Sequence, residues 1–188
     1  MPSRLGDWSL SVLGENPVND TKTVLKDARC HVSLRPTRTS ENISFSLLVF
    51  NCFRNSQGGN YLIFNCPSII IPLMILVYFL WLEITLVRGR RYFVTVNGEV
   101  GGAFAFTKKS GIFFVEVLAI APRHRRHRIA SAILCAAAAS ATKANEQLEL
   151  SVFKWNIPAQ LLYNVNGFTR EKMEWMSITL RHKHKTLL

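Results

Sequence analysis

Ile112 to Ala144 reads IFFVEVLAIAPRHRRHRIASAILCAAAASATKA, and its three parts decide how the chain is built. The first, Ile112 to Ile120, is an apolar run rich in β-branched and aromatic residues that stops before Pro122, which predicts a strand. The last, Ala130 to Ala144, has alanine at most positions and neither glycine nor proline, which predicts a helix. Between them, Arg123 to Arg128 places four arginines and two histidines in six consecutive positions. A turn that leaves a strand and opens a helix is an anion site. The first helical amides lack partners and the macrodipole adds partial positive charge, so a pyrophosphate suits the turn from Pro122 to Ala130.

Upstream, Tyr92 to Val96 and Glu99 to Phe106 are β-rich runs separated by Asn97-Gly98, whose tolerance of positive φ predicts a tight hairpin. Ser110-Gly111 offers a second turn, so three antiparallel strands run in sequence. Downstream, Leu148 to Phe153 alternates as a strand. Asn156 caps a helix with Pro158 in its first turn and Gly167 just past its end. Met173 to Leu180 is expected as one final strand, and residues 183–188 as a basic, frayed tail.

The N-terminal half is less regular. Residues 1–29 lack periodicity and are expected to have no fixed structure. His31 to Arg38 reads as a first strand, and Thr39 or Ser40 as the cap of a helix through Phe53. Tyr61 to Val87 is strongly apolar. Within it, Ile69 to Val87 is long enough to cross a hydrocarbon core of roughly 30 Å, and Arg88, Arg90 and Arg91 would hold the following chain in the cytoplasm. Pro72 and Glu83 inside the run suit a core or interfacial helix equally. The opening residues lack the apolar region of a secretory signal, so a cytoplasmic protein, membrane-associated through 69–87 if that run spans, is the expectation.

With 188 residues, 48% of them hydrophobic, the chain can bury one core, and residues 30–182 read as one domain. The 23 Lys and Arg against 12 Asp and Glu give a net charge of +11, which draws anions without choosing among them. Cys30, Cys52, Cys66 and Cys135 are scattered, with no metal-ligand spacing, so they read as reduced thiols and no metal is expected.

Two stretches carry a resemblance. Arg125-Arg126-His127-Arg128-Ile129-Ala130 is similar to the loop Arg or Gln, x, x, Gly, x, Gly or Ala of GNAT acyltransferases, matching at its first and last positions. Asn156, Ala159, Leu162, Tyr163, Gly167 and Phe168 stand at the spacing of a second motif of that family. The resemblance covers about residues 91–180, with the element order agreeing throughout. It implies an α/β GNAT fold: a mixed, mostly antiparallel central sheet with helices on both faces, splayed to admit coenzyme A. The departure is Arg128, where the family has glycine.

The resemblance further implies acetyl-CoA as acyl donor and an amine as acceptor. Main-chain groups of Leu118, Ala119 and Ile120 would pair with the pantetheine arm. The amides of Arg125, Arg126, His127, Arg128, Ile129, Ala130 and Ser131 would hold the pyrophosphate, and the Asn156 side chain would bond the arm or the adjoining strand. Tyr163 would protonate the departing thiolate, and Glu116, on the strand entering the loop, is the candidate base for the amine. The segment LSVFKWNIPAQLLYNVNGF looks most like members that acetylate protein N-termini or ribosomal proteins, and lysine or small-molecule amines share the pattern. Two other classes compete. A nucleic-acid binder would use the same arginines on phosphates, but Trp155 and Trp175 are too few for a stacking surface. A membrane-anchored GNAT-fold interaction protein without turnover would account for both the apolar run and Arg128.

Overall fold

The computed structural model describes residues 22–27, 30–54 and 89–183. Two turns set the centre of the sheet. Asn97 and Gly98 have φ of 52° and 87°, and Ser110 and Gly111 have 52° and 78°. Paired left-handed residues of this kind match the twist of the strands they join. They connect β3 (Arg90–Val96), β4 (Glu99–Lys109) and β5 (Ile112–Ile120) into an antiparallel meander. β4 runs past the expected Phe106 because Thr107, Lys108 and Lys109 keep pairing with Phe114, Phe113 and Ile112.

The described residues form an eight-stranded sheet in the order β1 (Lys22–Asp27), β2 (Cys30–Pro36), β3, β4, β5, β6 (Gln147–Phe153), β8 (Ser177–His182), β7 (Phe168–Met173). Among the described strands only the β5–β6 neighbours are parallel; the sheet is the mixed, mostly antiparallel one that the sequence implies. Helix α1 (Asn42–Arg54) follows a 3₁₀ turn at Thr39–Glu41. Helix α2 (Ile129–Lys143) is the alanine-rich segment, and α3 (Ile157–Val165) follows β6.

Two expectations need correction at the sheet edges. Residues 22–27, within the stretch expected to lack structure, form β1 (Lys22–Asp27), which pairs antiparallel with β2 (Cys30–Pro36). The final strand is instead a hairpin of β7 (Phe168–Met173) and β8 (Ser177–His182), closed where the Glu174 amide donates to the Ser177 carbonyl at 2.9 Å. An edge strand needs a ladder on one side only, and β7 buries Phe168 while exposing Arg170 to Met173. Its sequence therefore carries little of the alternation that reveals a strand.

Alternation along β4 divides the core. Phe104 and Phe106 face Ile129, Ile133, Leu134 and Ala137 of α2 and Tyr163 of α3. Ala103 and Ala105 face Phe45 and Val49 of α1 on the other side. Tyr92 stacks on Phe106 with centroids 6.0 Å apart, and Phe106 on Phe113 at 4.2 Å. This column ties β3, β4 and β5 together beneath α2.

The apolar run Tyr61–Val87 lies outside the described residues. Among those described, no helix is long and apolar enough to cross a membrane.

Phe113 is fully buried at the end of the aromatic column. Phe113→Ala is expected to lower stability by about 3–5 kcal/mol in urea unfolding, and Phe113→Leu by less than about 1.5 kcal/mol. Equal losses in both would show that the ring stack, not the filled volume, sets the penalty.

Candidate functional site

The parallel ladder between β5 and β6 is short. Ile112 to Val115 pair with Gln147 to Leu150, and there the pairing ends. Beyond that point, among the described residues, Val117 to Ile120 pair only with β4, and Ser151 to Phe153 only with β8. The cause lies in β5 itself: Ala105 opposes Val117 while the next residue, Phe106, opposes Val115, so Glu116 is an extra residue. Such a bulge bends its strand and increases the local twist, which swings the end of β5 away from β6. Among the described residues a cleft, the gap in the ladder, thus separates Leu118-Ala119-Ile120 from Ser151-Val152-Phe153.

The basic turn closes one end of this cleft. Ala121 N donates to Gly101 O at 2.8 Å, which anchors the strand end, and Pro122–His124 form a 3₁₀ turn. Then Arg126 and Arg128 adopt φ of 67° and 58°. Arg128 is the N-cap of α2 and supplies no side-chain cap. From Arg126 to Ser131 no backbone N–H finds an acceptor among the described residues. A left-handed residue followed by helical ones curves successive amides into a concave donor set, and the helix dipole points the same way. The side chains of Arg126, His127 and Arg128 are exposed around it. Ser131 Oγ accepts from Asn166 Nδ2 at 3.2 Å, linking the start of α2 to the end of α3.

Arg125 differs from its neighbours. Its own amide donates to Pro122 O at 3.2 Å. Its guanidinium reaches Ile120 O through Nε and Cys52 O through Nη2, both at 3.0 Å. It thus engages the chain, and the amides that remain open are those that follow it.

Asn156 caps α3, its Oδ1 accepting from Ala159 N at 3.4 Å. Gln160 Nε2 donates to Lys154 O at 2.8 Å, fastening the first turn of α3 to the end of β6. Tyr163 sits two turns along, 9% exposed, its ring edge-on to Phe168 at 5.9 Å. Burial pushes its phenol up to about 12, so the hydroxyl keeps its proton throughout the physiological range. Tyr163, Leu118 and Ile120 pack in the same cluster, on the α2–α3 face of the sheet.

Glu116 lies on the opposite face. Thr107 shares the α1 side with Ala103 and Ala105 by alternation, and its Oγ1 donates to Glu116 Oε1 at 3.0 Å. Half-burial raises the pKa of this carboxyl, and the Thr107 bond opposes that rise. Acid and base candidates therefore flank the cleft from its two faces. Reading the sequence overlooked Thr107, Asn166 and the two-carbonyl grip of Arg125. The bond from Arg125 to Cys52 joins positions 73 apart, and no local pattern announces it. Among the described residues no cluster suits a metal ion.

Comparison with known proteins agrees with this architecture. The profile described as "Acetyltransferase (GNAT) family" matches residues 68–168. No curated protein matches the chain in sequence. Among solved structures, the PaiA N-acetyltransferase of Thermoplasma acidophilum, crystallised with coenzyme A, is 12% identical with a TM-score of 0.65, covering 81% of this chain and 99% of that one. An acetyltransferase of Thermus thermophilus is 18% identical at a TM-score of 0.58, covering 85% and 97%. A Bacillus subtilis acetyltransferase in complex with CoA is 15% identical at 0.54, covering 81% and 97%. At such identities the likeness is one of fold.

A left-handed backbone costs a residue with a Cβ about 1–2 kcal/mol. Arg128→Ala and Arg128→Gly both remove the side chain, and only glycine relieves the backbone. The glycine variant is expected to be more stable than the alanine variant by about 1 kcal/mol in urea unfolding. The reverse order would place Arg128 outside the left-handed region.

Proposed function

Because the chain belongs to the acetyltransferase (GNAT) family, whose profile spans residues 68–168 of its 188, we propose that it transfers an acetyl group from acetyl-CoA to a primary amine. The observation that carries this is the open row of amides from Arg126 to Ser131 at the mouth of a cleft between unpaired strand edges. These donors fit a diphosphate in charge and direction, and the exposed guanidinium groups of Arg126 and Arg128 add charge-assisted contacts. Leu118, Ala119 and Ile120 pair with β4 on one side, and their other edge, where Ile120 O is already held by Arg125 Nε, suits an extended arm carrying amide groups, laid beside β5 in the place β6 vacates. Asn156 shapes the far wall by holding the start of α3.

Acetyl-CoA, when bound, supplies an activated thioester carbonyl. The chain's own residues then act on protons. Glu116 accepts a proton from the ammonium or attacking amine on the α1 face, directly or through one water. Tyr163 donates its phenolic proton to the departing sulfur on the α2–α3 face. The proposed acceptors are a protein N-terminus, a lysine or a small-molecule amine, and the motif around Asn156 to Phe168 favours the first. The left-handed strain at Arg128 favours a second reading, a GNAT fold that binds without turnover. Calorimetry with acetyl-CoA and a thiol-release assay over an amine panel separate the two. Heat without thiol release supports the second reading, and the absence of any binding heat overturns both.

We further propose that the full chain is not an integral membrane protein, because the family profile matches from residue 68 onward. Release of the full chain from a membrane fraction by alkaline wash is the expected behaviour. Retention would assign the apolar run 69–87 to a span.

For the chemistry, Tyr163→Phe keeps the packing and removes the donor, so kcat should fall about tenfold or more with acetyl-CoA affinity nearly unchanged. The base must be deprotonated to act, and the pKa of Glu116 is raised. The acid limb of kcat/KM should therefore lie above the ordinary glutamate value of about 4.3 and disappear in Glu116→Gln. Unaltered turnover in Tyr163→Phe, or an unmoved limb in Glu116→Gln, removes that residue from the mechanism.

A further inference from the structure

Arg125 stands between the open amides and the strand end, and its partly buried side chain turns to two carbonyls of the chain. Its Nε holds the carbonyl of Ile120, the last residue of β5, and its Nη2 holds the carbonyl of Cys52, each at 3.0 Å. Cys52 belongs to the last turn of α1, where four carbonyls lack intrahelical partners and the helix end is partially negative. A guanidinium is the fitting cap: it is planar, always charged and presents two donors in a fixed fork, so it locks two carbonyls in one geometry. Cys52 is itself buried, and its neighbour one turn back, Val49, packs with Phe93, Ala103 and Ala105.

The helix so capped rests on the sheet through Phe45 and Val49, and the Phe45 ring meets Phe93 with centroids 5.7 Å apart. It spans 13 residues, a length that is marginal for a helix by itself. Phe45, Val49 and Cys52 are buried, while Ile43 and Leu47 stand exposed on its outer side. The turn at the other end of the link is strained, with left-handed arginines at 126 and 128, and its amides await an acceptor. One planar side chain thus joins the end of α1 to the strand end beside the turn.

Resting on the reading of residues 126–131 as the coenzyme A site, we propose that Arg125 is a positioning residue that transmits occupancy of that turn to the C-terminal turn of α1, across the sheet. Filling the turn fixes the backbone next to Arg125, which steadies its fork on Cys52 and tightens the helix end. The α1 face, which carries Glu116 and would receive the amine, is thereby firmer once the donor is seated. The coupling is reciprocal: anything that orders the end of α1 tightens the turn.

Hydrogen exchange of the full chain with and without coenzyme A tests this, read on peptides covering 125–131 and 48–54. In the wild type both segments should slow on adding coenzyme A, the α1 end about fivefold or more. In Arg125→Gln, which leaves the amide row in place, the turn should still slow while the α1 end no longer responds. Arg125→Lys, with one compact donor for two carbonyls, should give a partial response, and it serves if the glutamine variant fails to fold. A residue with a merely structural role would raise α1 exchange equally with and without coenzyme A. A turn that slows while the wild-type α1 end does not, or an α1 response that survives in both variants, overturns the coupling alone. If coenzyme A slows neither segment, the coenzyme site falls, and the coupling with it.

Discussion

Everything about the candidate site follows from one break in hydrogen bonding: the ladder between β5 and β6 stops after Val115 and Leu150. Backbone groups at a sheet's interior are almost always paired, since leaving them buried and unmatched costs free energy. A sheet that abandons its ladder midway must give those groups a side chain, water or a ligand, and Ile120 O takes the Arg125 guanidinium. The bulge at Glu116 is the local reason for the parting. It places one residue too many on β5 opposite a regular β4, and the added twist moves the strand end out of register with any parallel neighbour. The same bulge determines which face Glu116 occupies, so the opening of the cleft and the aim of its carboxylate have a single origin.

The basic turn shows a local rule being broken next to the place where function needs it. Two arginines, at 126 and 128, hold φ angles that a side chain with a Cβ disfavours. Elsewhere in the described chain positive φ falls on asparagine, serine and glycine, at hairpin turns and at the ends of α2 and α3. The surroundings over-determine the turn: Ala121 is tied to Gly101, Arg125 to Pro122, Ile120 and Cys52, and Ile129 is buried beneath the start of α2. Strain held in this way keeps the amides turned outward instead of letting them collapse onto the chain. It also gives the turn guanidinium groups where glycine would give only room.

The sequence disclosed those features whose cause is local. Asn97-Gly98 and Ser110-Gly111 announced the meander because only a few residue types accept left-handed angles, and the alanine run and Asn156 announced α2 and α3 through propensity and capping. β1 and β7 escaped because an edge strand is stabilised by backbone pairing, to which side-chain alternation is a poor guide. The position of Glu116 was legible and its facing was not: strict alternation fails at a bulge, and the bulge exists only in the pairing with β4. Thr107 meets Glu116 only through the shifted register of the β4–β5 hairpin, and the reach of Arg125 to Cys52 depends on a contact between distant parts of the chain. The motif gave Arg125 a place in the turn, and only the fold shows what its side chain holds.

Burial acts on both proposed proton carriers in the same direction and to opposite chemical ends. It disfavours the charged form of each group, raising the pKa of Glu116 and taking that of Tyr163 to about 12. For a base, a higher pKa narrows the gap to an amine whose own value is about 10.4 for a lysine, so the carboxylate takes the proton more readily. For an acid, it guarantees a loaded donor at neutral pH, at the expense of driving force. The two groups need no contact with one another, because they stand on opposite faces of the sheet, beside the gap that the broken ladder leaves among the described strands. An amine entering from the α1 side and a thioester reaching in from the α2–α3 side would meet there, with proton acceptance on one face and proton donation on the other.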